Sequence, residues 1–356
     1  MSFEDLGPDH IANICNQLDR TNISLLSQSC KSLVPFGGST LDALKVRDKS
    51  GGYQLHNAIQ ENFSEERILR ILSKNPSAAL VKNNAGELPL HLIMKYTNAQ
   101  SQKKIVMQLL HVYPDGLTKT TNDGRLPIHI LLQHATNTTD YLHLVEYLIL
   151  KNRESLLHQD VFGNAALHFI FSNLLPVYQS SSSPHVLSGE SLLILAKDII
   201  YDKSELSMKI LNRERHSVLH LLMILQYDNH VKRWMKDPHF KRFFLETNRD
   251  LFKIKDAFGF LPVQLAVYAG VNEILLSELL AIFPDSISSV DNKGNTILHT
   301  AMKSPYFSKK LVMKICRHCT KNKVDLLRIM NTKGNTAEYY ANKHNRGKIS
   351  QFFLTI

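Results

Sequence analysis

The chain has 356 residues, 44% of them hydrophobic and 21% charged, with 42 Lys and Arg against 32 Asp and Glu. That composition excludes a disordered chain and supplies a large core, in two or three compact domains or in one extended array. Four cysteines, Cys15, Cys30, Cys316 and Cys319, are too few to staple so long a chain, which points to reduced thiols in the cytosol or nucleus. No apolar leader follows a basic start, and no run is long enough to span a membrane: "SLLILAKDII" is broken by Lys197 and Asp198.

In chain order, residues 3–33, "FEDLGPDHIANICNQLDRTNISLLSQSCKSL", come first. Their apolar positions, Leu6, Ile11, Ile14, Cys15, Leu18, Ile23, Leu26 and Leu33, predict two or three short helices, with Pro8 opening the first and Cys30 near the end of the last. The segment resembles an F-box, through Leu6 and Pro8, acidic Asp9, Ile14 with Cys15, Leu18, "DRTNI" in the turn and the closing "SLLSQSCKSL". It departs where Gly7 separates Leu from Pro and where Leu33 replaces a common Trp. The resemblance implies docking onto the Skp-type adaptor of cullin ubiquitin ligases. The alternative is a helical cap over the open apolar face of the first repeat.

From residue 45 onward the chain counts in blocks. The frame Gly-x-x-x-apolar-His recurs as "GGYQLH" (51–56), "GELPLH" (86–91), "GRLPIH" (124–129), "GNAALH" (163–168) and "GNTILH" (294–299), with degenerate copies "RHSVLH" (215–220), "GFLPVQ" (259–264) and "GNTAEY" (334–339). The frame residues are His56, His91, His129, His168, His220 and His299, with Gly86, Gly124, Gly163, Gly259, Gly294 and Gly334. Successive frames lie 35 to 52 residues apart and define eight units. After each frame, apolar residues at i, i+3 and i+4 (Leu90, Ile93, Met94; Ile128, Leu131, Leu132) mark one face of a short helix. A second apolar helix follows, then a stop such as "NPSA", "YPDG" or "FPDS", in which the proline cannot continue the helix.

Asn or Asp beside the glycine supplies a turn residue that tolerates positive φ. Pro89, Pro127 and Pro262 fit a first helical turn, and Ser217, Thr296 and Thr336 fit N-caps. The frames resemble the Gly-x-Thr-Pro-Leu-His core of the ankyrin repeat. Leu replaces Thr at positions 88, 126 and 261, the units run long, and a Pro-containing stop replaces the usual Gly-Ala. The resemblance implies stacked helix pairs, and histidines that make structural hydrogen bonds between neighbouring turns. His129 and His134 are therefore not metal ligands: they are one residue off His-x-x-x-His, with no Glu between them. The last unit carries Glu338 where earlier copies have Leu or Ile, and Asn342 at a core position, as a water-facing terminal repeat requires.

Two insertions interrupt the array. The stretch near 172–191 contains the Ser-rich "QSSSSPHVLSGES", a solvated loop. The stretch near 226–240 carries Trp234, a candidate contact. Phe162, Phe258 and Phe260 beside the turn glycines are either partner contacts or packing between neighbouring turns. Turn tips and exposed sides of the first helices are expected to line a concave binding face. "CRHC" (316–319) lacks the second pair a structural zinc site needs and reads as two buried thiols on a helix. Residues 301–348 hold twelve Lys and Arg against Asp325 and Glu338. This basic end lacks the aromatic platform that single-stranded nucleic acid would want, and reads as a solvated face.

No phosphate loop, nucleophile elbow or His-Glu-x-x-His occurs. The expectation is an all-α, elongated solenoid of ankyrin-like helix-turn-helix units over residues 45–356, behind a small helical module at residues 1–40. It is expected to be no enzyme and to need no cofactor. As the resemblances imply, it acts as a substrate-recognition adaptor, monomeric within a ligase complex, that binds the Skp-type adaptor and a substrate protein. It binds no small molecule, nucleic acid or membrane. The alternative is a scaffold with no ubiquitin link.

Overall fold

The computed structural model describes residues 54–95, 99–134, 139–173, 208–225, 249–321 and 325–344. The F-box-like residues Leu6 to Leu33, both insertions and Trp234 lie outside them. The described residues are helical, with no strand among them. By compactness the chain divides into two units at residues 202 and 203.

The first unit contains α1 (Gln54–Gln60), α2 (Glu65–Lys74), α3 (Pro89–Lys95), α4 (Ala99–Val112), α5 (Pro127–Gln133), α6 (Thr139–Lys151) and α7 (Ala166–Asn173). The short helices stack in series, α1 on α3, α3 on α5 and α5 on α7. Behind them the longer helices do the same, α2 on α4 and α4 on α6. The short helices α1, α3 and α5 also pack on the long helices α2, α4 and α6 that follow them. The second unit repeats the plan with α8 (Val218–Ile224), α9 (Pro262–Tyr268), α10 (Glu273–Ile282), α11 (Ile297–Lys303), α12 (Lys309–Lys321) and α13 (Ala337–Lys343). Here α8, α9, α11 and α13 stack in order and α10 packs on α12. This is the ankyrin-like helix pair that the frames predict.

Two expectations need correction. The prolines of the stops do more than end a helix. Pro76, Pro114 and Pro284 each open a short 3-10 helix, Pro76–Leu80, Pro114–Thr118 and Pro284–Ile287, and Arg153–Leu156 and Arg249–Lys253 form the same element without proline. Most of the first helices, in turn, have no exposed side, although α1 exposes Gln54 and α13 exposes Tyr339, Asn342 and Lys343. In α3, Pro89 to Met94 are all buried, as are Pro127 to Leu132 in α5 and every residue of α8. The cause is crowding. Among the described residues α3, α5, α9 and α11 are each flanked by two short helices and backed by a long one, and in α3, α5, α7 and α9 a 3-10 turn packs on the helix as well. A helix with protein on all sides is apolar all round. The concave face expected from exposed first helices therefore has no such side to draw on in α3, α5 and α8.

Among the described residues no helix is long and apolar enough to cross a membrane. The last described helix behaves as a terminal one should: Glu338 is half-buried and Asn342 exposed, where the matching Leu298 and Met302 are fully buried.

Candidate functional site

The turns that precede the first helices are built alike at all seven places described. A residue three before the glycine (Asn83, Thr121, Asp160, Asn212, Asp256, Asp291, Asn331) donates its N–H to the carbonyl four residues on, at 2.9–3.1 Å. Its side-chain oxygen then accepts from main-chain N–H groups inside the turn. Asp160 Oδ1 takes those of Phe162 and Asn164, at 2.9 and 2.8 Å. Asp256 takes Phe258 and Phe260, and Asp291 takes Lys293 and Asn295, at the same lengths to 0.1 Å. The Asx residue therefore holds the turn from within. The sequence reading credited the residue beside the glycine instead. The period of the Asx position, three before each glycine, was the signal that would have found it.

The glycines sit at φ between 73 and 84°. The degenerate copy puts Arg215 there, at φ 60°. Handedness is only part of the requirement. A Cβ on Gly259 would lie 2.4 Å from Asn292 Oδ1 and 2.6 Å from its main-chain nitrogen, because the next turn closes directly over it. Gly334, in the last turn, meets nothing within 4 Å.

Successive turns are bolted together through the backbone. The N–H of Asn122 donates to Ala85 C=O, Val161 to Asp123, Ala257 to Glu214, Asn292 to Phe258 and Thr332 to Lys293, at 2.7–3.0 Å. A second row of contacts runs between side chains. The residue after the glycine reaches the Asx residue of the following turn: Arg125 Nε lies 3.4 Å from Asp160 Oδ2, His216 Nε2 3.5 Å from Asp256 Oδ2, and Asn331 Nδ2 donates to Asn295 Oδ1 at 2.9 Å. Arg125, Glu87 and Asn295 also meet the ends of their own first helices, at Gln133, Lys95 and Lys303.

The frame histidines complete the joint. Nδ1 of His91, His129, His168, His220 and His299 accepts the N–H of Leu88, Leu126, Ala165, Ser217 and Thr296, at 3.0–3.3 Å. With Nδ1 accepting, the proton belongs on Nε2, from where His91 donates to Lys119 C=O and His299 to Asn335 C=O, both at 3.0 Å across to the next unit. His56 Nε2 lies 3.2 Å from Glu87 C=O, and Nε2 of His129 and of His220 makes no such bond. Gln264 does the same work in the degenerate copy, its Oε1 accepting from Leu261 N–H at 2.9 Å and its Nε2 donating to Ser289 C=O at 3.3 Å. Burial pushes the imidazoles down, to about 4 for His91 and about 3 for His129 and His220, so they are neutral. Of the expected N-caps, Thr336 Oγ1 accepts from Tyr339 N–H, whereas the hydroxyls of Ser217 and Thr296 lie 2.9 Å from the histidine Nδ1.

With the joints so occupied, exposed side chains in the turns are found above all at the two tip residues. The first of them is exposed in every described turn: Asn84, Asn122, Val161, Arg213, Ala257, Asn292 and Thr332. Phe162, Phe258 and Phe260 are half-buried. Phe162 and Phe258 are second tip residues, whereas Phe260 follows its glycine. Cys316 and Cys319 are buried free thiols on α12, pushed up to about 11 and 12 by burial, and so lack thiolate character. Among the described residues no group of His, Cys, Asp and Glu is arranged to hold a metal ion.

No protein-family profile matches the chain, and no curated protein does. Among solved structures it is similar to the ankyrin repeat domain of Bcl-3, described as a unique member of the IkappaB protein family. The identity is 17% over 72% of this chain and 94% of that one, with a TM-score of 0.41.

Proposed function

We propose that the repeats form a protein-recognition surface and that the chain is a non-enzymatic adaptor. One observation carries the reading. Seven turns share the same internal main-chain bond, yet their tips range from Asn84-Ala85 and Asn122-Asp123 through Val161-Phe162, Arg213-Glu214 and Ala257-Phe258 to Asn292-Lys293 and Thr332-Lys333. A scaffold that holds its backbone constant while varying a row of exposed side chains suits recognition of another macromolecule's surface, as in other stacked-repeat proteins. The histidines of the frames and the Asx carboxylates of the turns are consumed by structure: the imidazoles are neutral and the carboxylates accept main-chain N–H bonds.

The finer reading adds a ligase. Residues 1–40 dock onto the Skp-type adaptor through Leu6, Pro8, Ile14 and Leu18, and the repeats present a captured protein for ubiquitination by proximity. It is supported by the F-box-like pattern alone, and a scaffold without a ligase link is the alternative.

Two measurements separate the layers. Co-purification of the full chain with a purified Skp-type adaptor is expected, with loss in the Pro8→Ala, Leu18→Asp double variant at unchanged helicity. Absence of binding by the wild type removes the ligase layer. Proximity labelling in the native cell, comparing wild type with Val161→Ser, Phe162→Ser and Phe258→Ser combined, is expected to lose specific protein neighbours. An unchanged set of neighbours contradicts recognition through the tips.

A further inference from the structure

Towards the end of the second unit, the last two described turns and the ends of α11 and α13 enclose a pocket. Four lysines line it: Lys293 and Lys333 from the tips of successive turns, Lys303 from the end of α11 and Lys343 from the end of α13. No acidic residue is among the lining groups. The carboxylate that acts on Lys293 and Lys303 from beneath is Asp291, and it is already occupied. Asp291 Oδ1 accepts from the N–H groups of Lys293 and Asn295, and Oδ2 accepts from Asn295 Nδ2 at 2.8 Å, with the whole residue buried.

The floor is built as well as charged. Tyr340 OH accepts from Asn331 Nδ2 at 3.1 Å, and Asn335 Nδ2 lies 3.5 Å away. Burial alone would raise the Tyr340 pKa, but the amides of Asn335 and Asn331 and the Lys303 ammonium lower it overall, which makes its hydroxyl the stronger hydrogen-bond donor. Lys303 Nζ sits 4.1 Å from the centre of the Tyr340 ring and donates to Asn295 Oδ1 at 2.9 Å, which holds its ammonium at the pocket. Burial and the neighbouring lysines depress Lys303 and Lys293, and Asp291 and Tyr340 offset this only in part.

We propose that this pocket binds a phosphate-type oxyanion, held by Lys293, Lys303, Lys333 and Lys343 and by the hydroxyl of Tyr340. Several ammonium groups converging on one small site suit a compact group of multiple negative charge. The inference goes beyond the recognition reading and stands without it. The anion is either a free phosphate compound or a phosphorylated side chain on a partner.

Calorimetric titration of the full chain tests it, with inorganic phosphate, a short phosphoserine peptide, its unphosphorylated form and a single-stranded oligonucleotide as probes. Inorganic phosphate or the phosphopeptide is expected to bind, more weakly as salt rises, and the tighter of the two names the source. Lys333→Ala with Lys343→Ala is expected to weaken that binding by about tenfold or more, while the Arg pair at the same positions retains it. Lys309→Ala with Lys310→Ala removes the same charge from the exposed start of α12 and is expected to change binding by less than about twofold. The proposal is overturned if neither phosphate probe binds, if the oligonucleotide alone binds, or if the two alanine pairs weaken binding equally.

Discussion

Gln264 and the frame histidines perform the same task with different chemistry, and this makes the histidine's role measurable. Both side chains accept from the N–H at the helix start and donate to the next unit, but only imidazole titrates. For a buried base whose pKa falls on folding, the unfolded chain binds more protons between the two pKa values. Stability is then full above about pH 6.5 and is lost as pH falls toward the folded value, about 4 for His91. His91→Gln is expected to stay within about 1 kcal/mol of wild type at pH 7.5. At pH 5 it is expected to gain about 2 kcal/mol relative to wild type, since each pKa unit is worth about 1.4 kcal/mol. Urea unfolding at the two pH values checks this, and an equal difference at both contradicts it. The sequence made the histidines legible because they recur in register with glycine. It hid the Asx residues because Asn, Asp and Thr share that slot, and a reading by residue identity sees no motif where a reading by acceptor oxygen sees one.

Among the helices, periodicity located every short helix but misjudged its surroundings. The positions i, i+3 and i+4 in α3 single out Leu90, Ile93 and Met94 and leave Leu92 on the opposite side, as an amphipathic helix would. In the structure Leu92 is 1% exposed, because α3 is enclosed by its neighbours and by the Pro76–Leu80 turn. Runs such as "PLHLIM" and "VLHLLMI" are apolar throughout, and that composition, more than the period, states the burial. Leu92→Ala is expected to destabilise by about 2–5 kcal/mol, the usual range for a buried leucine. Ile274→Ala on α10, at a residue 74% exposed, is expected to stay within about 0.5 kcal/mol. Comparable denaturation midpoints for the two variants would restore the amphipathic reading. The 3-10 turns were only half legible: the prolines announced a stop at three places, and nothing in "RESL" or "RDLFK" did.

At the scale of the whole molecule, eight frames in the sequence foretold a stack, and each described unit delivers one. Its candidate surface was less legible. The second rail, seen at Arg125–Asp160, His216–Asp256 and Asn295–Asn331, joins side chains 35 to 40 residues apart whose identities differ from one joint to another. The lysine pocket likewise collects charges that are scattered along 51 residues of chain. Position in a repeat brings them together, and neither composition nor motif search can see it. Both the recognition surface and the pocket presuppose turns held rigidly to one another by main-chain bonds.

Amide hydrogen exchange of the full chain measures that directly. The N–H groups of Asn122, Val161, Ala257, Asn292 and Thr332 lie in turns at exposed residues, or at the edge of helices' reach, where unbonded amides exchange quickly. They are expected to be protected to a degree comparable with the first helices beside them. Fast exchange at all five bonded amides would mean that the turns are not joined, and a surface built on their alignment would have no foundation.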